Sequence, residues 1–398
     1  MPGVPAGLSR PIRTGAPAPR LPHTRALDAV RGLAIALVYV YHADFLVRYG
    51  GRVDIDRGGS EISPLLALVR VGSTGVNLFL VLSGFLLGRP FLIEAAGGPR
   101  VRRDQYFLRR ALRILPLYTL TVIAGAAVCA TRPADLLRAV PWLLFLSSFG
   151  LASDLPGISG LWWSLATEVQ FYLLLPLLPL VLRARRWPVA FFCYATVYAA
   201  FLLGLFTPWL GIRVALLSRS VLGRSPALLL GIVTAWIHVR YGEALRVRWA
   251  ALGRWGVLLA DALLVALVVA LAYLLRWVAS VGLILVEFPP YAAWHVPEAV
   301  LWAAVLVVVL LSPARLNRLL VSRPLVELGV ISYSVYLLHY PLLQFSLAWL
   351  SSAHPTVLDW PVAAATLAGV TAICLGISTL SYAGVERPAM RWRGSGGG

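Results

Sequence analysis

Long apolar runs separated by short polar stretches make up this chain of 398 residues. A helix needs about 20 predominantly apolar residues to cross a bilayer. By that measure the pattern predicts ten spans: 32–48, 71–93, 112–131, 161–182, 188–206, 221–239, 255–275, 297–312, 325–350 and 361–384. The apolar stretch 139–151 is too short to cross, and reads as a re-entrant or surface helix inside one long loop, 132–160. Backbone polar groups inside a bilayer must pair within their own segment, so runs of this length are helices. The expected fold is an all-α polytopic membrane protein, a bundle of about ten transmembrane helices.

Composition agrees. The chain is 59% hydrophobic and 13% charged, about half the charged fraction of a soluble domain, and its mean hydropathy is +0.80. The net charge is +18, and every basic side chain among the 35 is arginine. If the N-terminus is inside, 25 of the 35 arginines fall on inner segments, so the positive-inside rule predicts both termini in the cytoplasm. A further span at 139–151 would move Arg183, Arg185, Arg186 and later inner clusters to the outside. Arginines placed between apolar spans report topology first and anion binding second, and they argue against a nucleic-acid partner.

The sequence divides into three parts. Residues 1–26 are rich in Pro and Arg, lack the apolar core of a signal peptide, and read as a disordered basic cytoplasmic tail. Residues 27–390 form the transmembrane domain, and 391–398 form a flexible end, with no soluble domain expected after the last span. Cys129, Cys193 and Cys374 lie in apolar spans with no metal-like spacing, so no metal site is expected.

Candidate chemistry starts in the first span, LDAVRGLAIALVYVYHAD. Arg31 and His42 are eleven positions apart, which places them on one face with a rise of about 16 Å. An ionisable side chain within the membrane marks a functional site by default, although an anchoring arginine and a histidine bonded to a neighbouring helix would also fit. In the basic loop 89–116, Arg102, Arg103, Arg109, Arg110 and Arg113 crowd beside the third span. Guanidinium groups suit phosphates, and anionic lipid headgroups would satisfy them too.

Three further stretches carry polar residues. In GVNLFLVLSG (75–84), Gly75 and Gly84 with Ser83 permit close helix approach, and Asn77 needs a buried partner. In LWWSLATEVQFYLLLP (161–176), Glu168 lies inside a span below Trp162 and Trp163, which fit an interfacial aromatic belt. In SYSVYLLHYP (332–341), His339 stands fourteen residues above the start of its span. Counted from the span edges, His42, Glu168 and His339 reach one layer in the outer half of the membrane. A phosphate-binding mouth below a basic imidazole suits an acyl-CoA: phosphates on arginines, pantetheine arm between helices. His42 is then the expected general base on an acceptor hydroxyl, with Glu168 orienting it or stabilising its charged form. The rival reading is a proton-coupled transporter or flippase of a glycan or small metabolite, since buried His and Glu also serve proton relays. Transport favours inverted repeats with broken spans, and the sequence shows neither clearly.

Together, the Arg31–His42 spacing, GVNLFLVLSGFL, RRALRILPLY, WSLATEVQFYLLLP, SYSVYLLHYP and the closing VERP resemble the membrane acyltransferase-3 family, over about residues 25–390. The resemblance implies ten core spans in the plasma membrane and transfer of an acyl group, acetyl above all, from cytoplasmic acyl-CoA. The acceptor hydroxyl would belong to a carbohydrate, a lipid-linked glycan or a macrolide-type metabolite, and no cofactor is permanently bound. It maps the catalytic histidine to His42 and its paired arginine to Arg31. The RRxxR element maps to Arg109, Arg110 and Arg113, and the intramembrane glutamate to Glu168. His339, Asn77, Ser83 and Tyr118 remain as acceptor or proton-relay candidates. Two departures stand out: one leucine replaces a phenylalanine of the family's frequent pair around Phe79, and the esterase-like domain of many surface-polysaccharide members is not expected here. The second favours a standalone enzyme. Asp54, Asp56, Glu61, Glu287 and His295 are expected as exposed polar residues of the outer loops.

Overall fold

The computed structural model describes residues 24–49, 63–149, 152, 155, 158–183, 186–205, 207, 217–280, 293–353 and 360–392. Described residues form helices and connecting turns, with no strand among them. In chain order the α-helices begin with α1 (Thr24–Tyr49), α2 (Pro64–Arg70), α3 (Thr74–Ala95), α4 (Arg103–Cys129), α5 (Ala139–Leu143), α6 (Trp163–Leu174) and α7 (Leu178–Arg183). They continue with α8 (Trp187–Leu205), α9 (Val221–Ala251), α10 (Gly253–Ser280), α11 (His295–Leu311), α12 (Asn317–Leu320), α13 (Arg323–Val330), α14 (Ser332–Ala353) and α15 (Trp360–Ser381).

Each of the ten apolar runs becomes helix. Among the described residues, eight helices are long and apolar enough to cross a membrane, and α13 with α14 makes a ninth only as a pair bent by 80°. The tenth run is α11, of 17 residues, which rises about 25 Å and falls short of the usual span. The outer faces of α8 and α10 expose large apolar side chains such as Phe192, Leu203, Leu258 and Val265, as lipid contact requires. No helix long enough to cross forms among the described residues 133–149, which fold as a 3-10 helix over Pro133–Arg138, then α5, then a 3-10 turn over Ser147–Phe149. Asp135 organises the start of this segment by accepting from the Thr131 hydroxyl at 2.8 Å and from the Thr131 and Arg132 backbone N–H groups at 3.0 Å. These bonds, the Thr131 side chain first, hold the Asp135 carboxyl below its ordinary pKa.

Small residues set the tightest crossings. A Cβ on Gly32 would lie 1.9 Å from the Leu325 carbonyl oxygen, and one on Gly329 would lie 1.8 Å from that of Asp28. The backbones of α1 and α13 therefore touch directly. Gly84 and Gly231 do the same for α3 and α9, each with room for a Cβ only 2.1 Å from a carbonyl oxygen of the facing helix. Packing of this kind is how helices associate where burial from water supplies no drive.

The aromatic-belt expectation for Trp162 needs correction. Trp162 is 1% exposed and meets Trp142 and Tyr118 edge to face at 5.9 and 6.0 Å. The loop carrying Trp142 folds over that end of the bundle, so the tryptophan is core.

Candidate functional site

Arg31, Arg110 and Arg113 converge on one cavity of about 260 Å³. Its wall also carries Ser83, Ser164, Glu168, Tyr172, Ser332, Tyr333 and Tyr336, among apolar side chains of α3, α4 and α6. Arg31 is held by Asp28, one turn earlier on α1, at 2.8 Å. Helical spacing explains the pair from α4: positions 110 and 113 share an edge, and that edge faces α1 and α6. Arg109 points the other way. It is exposed and donates to Gln105 at 3.3 Å, so the structure does not bring it to the cavity. Arg103 is committed elsewhere, donating twice to Glu94 at 2.7 and 3.0 Å. Arg102 pairs with Asp104 at 2.8 Å.

Glu168 accepts from the Ser83 hydroxyl at 2.7 Å, so these two candidates meet. His42 and His339 also meet, with His42 Nδ1 3.4 Å from His339 Nε2. The expectation of a single layer holding His42, Glu168 and His339 is corrected, because Glu168 lies nearer the arginines. Ser164 and Tyr336 are level, their hydroxyls 2.6 Å apart. Glu168 follows Ser164 toward one end of the bundle, and His339 follows Tyr336 toward the other, which separates them by about 10 Å along the axis. The misplacement has a physical cause. Seven of the residues counted below His339 belong to α13 and the turn after it, which the 80° bend takes off the axis of α14.

The two imidazoles are held alike. His42 Nδ1 donates to the Val38 carbonyl at 2.7 Å, and His339 Nδ1 donates to the Val335 carbonyl at 2.8 Å. A carbonyl oxygen only accepts, so each Nδ1 carries a proton and each neutral ring keeps its lone pair at Nε2. Tyr336 links this pair to the cavity: its ring centroid is 6.1 Å from that of His339, and it lines the cavity wall. Helix α1 runs unbroken from Thr24 to Tyr49, so the rise of about 16 Å from Arg31 to His42 stands.

The acyltransferase-3 family, described as an acyltransferase domain, matches residues 24–379. The chain belongs to this family. It is 28% identical over 385 residues to the provisionally named membrane-bound transacylase BcsY of Komagataeibacter xylinus, covering 92% of this chain and 83% of that one. It is 26% identical over 174 residues to the peptidoglycan O-acetyltransferase OatA of Listeria monocytogenes, covering 39% of this chain and 24% of that one. No solved structure matches it. The protein is thus a multi-pass membrane acyltransferase, which agrees with its many apolar helices.

Other candidates of this acyltransferase lie apart from the cavity wall. Tyr118 is fully buried and donates to the Trp142 carbonyl at 2.8 Å, so its hydroxyl holds the folded-over loop. Asn77 belongs to a second buried cluster. Its Oδ1 accepts from Arg224 at 3.3 Å and its amide donates to Glu298. His295 Nδ1 lies 2.8 Å from both Asn77 Nδ2 and Glu298 Oε2. Arg224 also lies over the Trp163 ring at 4.9 Å. His295 is buried, correcting its expected loop exposure, because it opens α11 against α3 instead of ending a loop. Asp54, Asp56, Glu61 and Glu287 lie outside the described residues.

Sequence reasoning missed Glu386 in VERP. It is buried at the end of a π-helical turn, Tyr382–Glu386, where the Ser334 hydroxyl donates to it. The signal was a glutamate ending an apolar span.

Proposed function

We propose that the protein is an acyl-CoA-dependent O-acyltransferase of the plasma membrane. It moves an acyl group, acetyl first among candidates, to a hydroxyl of a carbohydrate, lipid-linked glycan or macrolide-type metabolite. The observation that carries this reading is the convergence of Arg31, Arg110 and Arg113 on a cavity whose wall includes Tyr336, the ring beside His339, which in turn meets His42. Arginines that share a site repel one another, so three together favour an anion of several charges, such as the phosphates of coenzyme A. The rise from Arg31 to His42 suits an extended pantetheine arm. The positive-inside count supports a cytoplasmic mouth. The name of the relative OatA, a peptidoglycan O-acetyltransferase, supports acetyl as the group and a glycan as the acceptor class.

In this reading His42 Nε2 takes the proton of the acceptor hydroxyl as its oxygen attacks the thioester carbonyl. The C–O bond forms, the C–S bond breaks, and the thiolate of coenzyme A leaves and recovers the proton. Glu168, bonded to Ser83 in the wall, faces the donor's arm, where a carboxylate accepts from amide N–H groups.

The test is transfer of radiolabel from acetyl-CoA to an extractable acceptor by membranes carrying the protein. His42→Ala should abolish transfer while the protein inserts and purifies normally. Retained transfer in that variant removes His42 as the base, and label that only crosses the membrane unchanged favours a transporter.

A further inference from the structure

We propose that His339 is the positioning partner of His42, standing where a carboxylate stands in other acyl-transfer sites. The proposal rests on His42 acting as base, as set out above. The two Nδ1 atoms donate to the Val38 and Val335 carbonyls. With His339 protonated at Nδ1, its Nε2 has a lone pair, and that lone pair lies 3.4 Å from His42 Nδ1. The hydrogen between the rings is therefore the one on His42 Nδ1, shared by the Val38 carbonyl and His339 Nε2. One N–H shared between two acceptors is a three-centre arrangement of the sort common at helix termini.

This arrangement does two things for a base at Nε2 of His42. It fixes the tautomer, because Nδ1 faces two acceptors and Nε2 keeps its lone pair for the acceptor hydroxyl. It also receives the charge that catalysis creates. When His42 Nε2 takes the hydroxyl proton, the ring becomes an imidazolium whose Nδ1–H already points at an acceptor. The Nδ1 proton can pass to His339 Nε2, which leaves His42 neutral and its partner charged. One proton enters the pair and one returns to the leaving thiolate, so the balance closes. Glu168 does not occupy this place, since it accepts from Ser83 in the cavity wall. Both rings are buried, which strengthens the coupling between them.

The deciding experiment measures acetyl transfer from acetyl-CoA by the purified full chain in four forms: wild type, His42→Ala, His339→Leu and His339→Gln. Leucine removes the acceptor atom, whereas glutamine can return an oxygen acceptor near the position of Nε2. His339→Leu should lower kcat by about 100-fold, the scale of acid–base assistance, with KM for acetyl-CoA unchanged because the arginines still hold the donor. His339→Gln should recover most of the lost kcat. A purely structural His339 would change both parameters or lower the folded yield, and glutamine would not rescue it selectively. If His339→Leu fails to fold, the glutamine form decides: kcat near wild type with unchanged KM supports the proposal, and a loss as deep as that of His42→Ala overturns it. A kcat for His339→Leu within about twofold of wild type also overturns it. Inactive wild type, or active His42→Ala, overturns instead the reading on which the proposal rests.

Discussion

The hydroxyls of Ser164 and Tyr336 lie 2.6 Å apart, and the Tyr336 O–H also reaches the Leu161 carbonyl at 2.5 Å. This contact pins α6 to α14 where Tyr336 lines the cavity. Tyr336→Phe keeps the ring and removes the donor, leaving buried Ser164 and Leu161 groups short of a partner. The expected cost is about 1–3 kcal/mol, read as a lower apparent Tm in detergent, together with a lower kcat. An unchanged Tm would show that the contact contributes nothing to the bundle.

The arginines separate into two classes. Arg110 and Arg113 line the cavity, and Arg109 does not. Replacing either of the first two by alanine should raise KM for acyl-CoA by about 10- to 100-fold, the worth of charge-assisted hydrogen bonds to one phosphate. Arg109→Ala should leave KM unchanged. Steady-state kinetics at varied acetyl-CoA checks the contrast, and equal effects at all three positions would reduce the cluster to a topology signal.

The cluster of Asn77, Arg224, His295 and Glu298 is expected to hold α3, α9 and α11 together. Glu298→Ala removes the carboxyl that accepts from Asn77 and lies 2.8 Å from His295 Nδ1, leaving buried polar groups short of a partner at a cost of about 1–3 kcal/mol. Thermal unfolding should show a fall in apparent Tm, while KM for acyl-CoA in the folded fraction stays at its wild-type value. A raised KM with unchanged Tm would assign the cluster to the donor site instead.

Much of this was legible in the sequence. Hydropathy located the ten long apolar runs that become helix, because a span must satisfy its own backbone and must therefore be long, but it missed the short α2 in the expected loop 49–70. The eleven-position spacing put Arg31 and His42 on one face, since α1 has no internal break. Three things were hidden. The α13–α14 bend lies just past Gly329, which meets Asp28 of a distant segment, and it displaced the estimate of His339's depth. The direction of each arginine depends on neighbours that local spacing does not contain. Burial of Trp162 and His295 depends on which segments cover them, the loop over α5 in one case and α3 in the other. Composition near a span edge reads the same whether lipid, water or protein lies outside.

The Gly32–Gly329 contact leaves α1 and α13 no slack. Where two backbones touch, neither helix slides without a carbonyl colliding, and Arg31 sits one residue from that seam. The arginine from α1 is thus fixed furniture of the mouth, while those from α4 hang from a helix tied to its neighbours by side-chain bonds such as Tyr333 to Ile114 and Tyr106 to Tyr172. On the proposed acyl-CoA reading, a widening of the mouth for a bulky donor would therefore be taken up by α4 and not by α1.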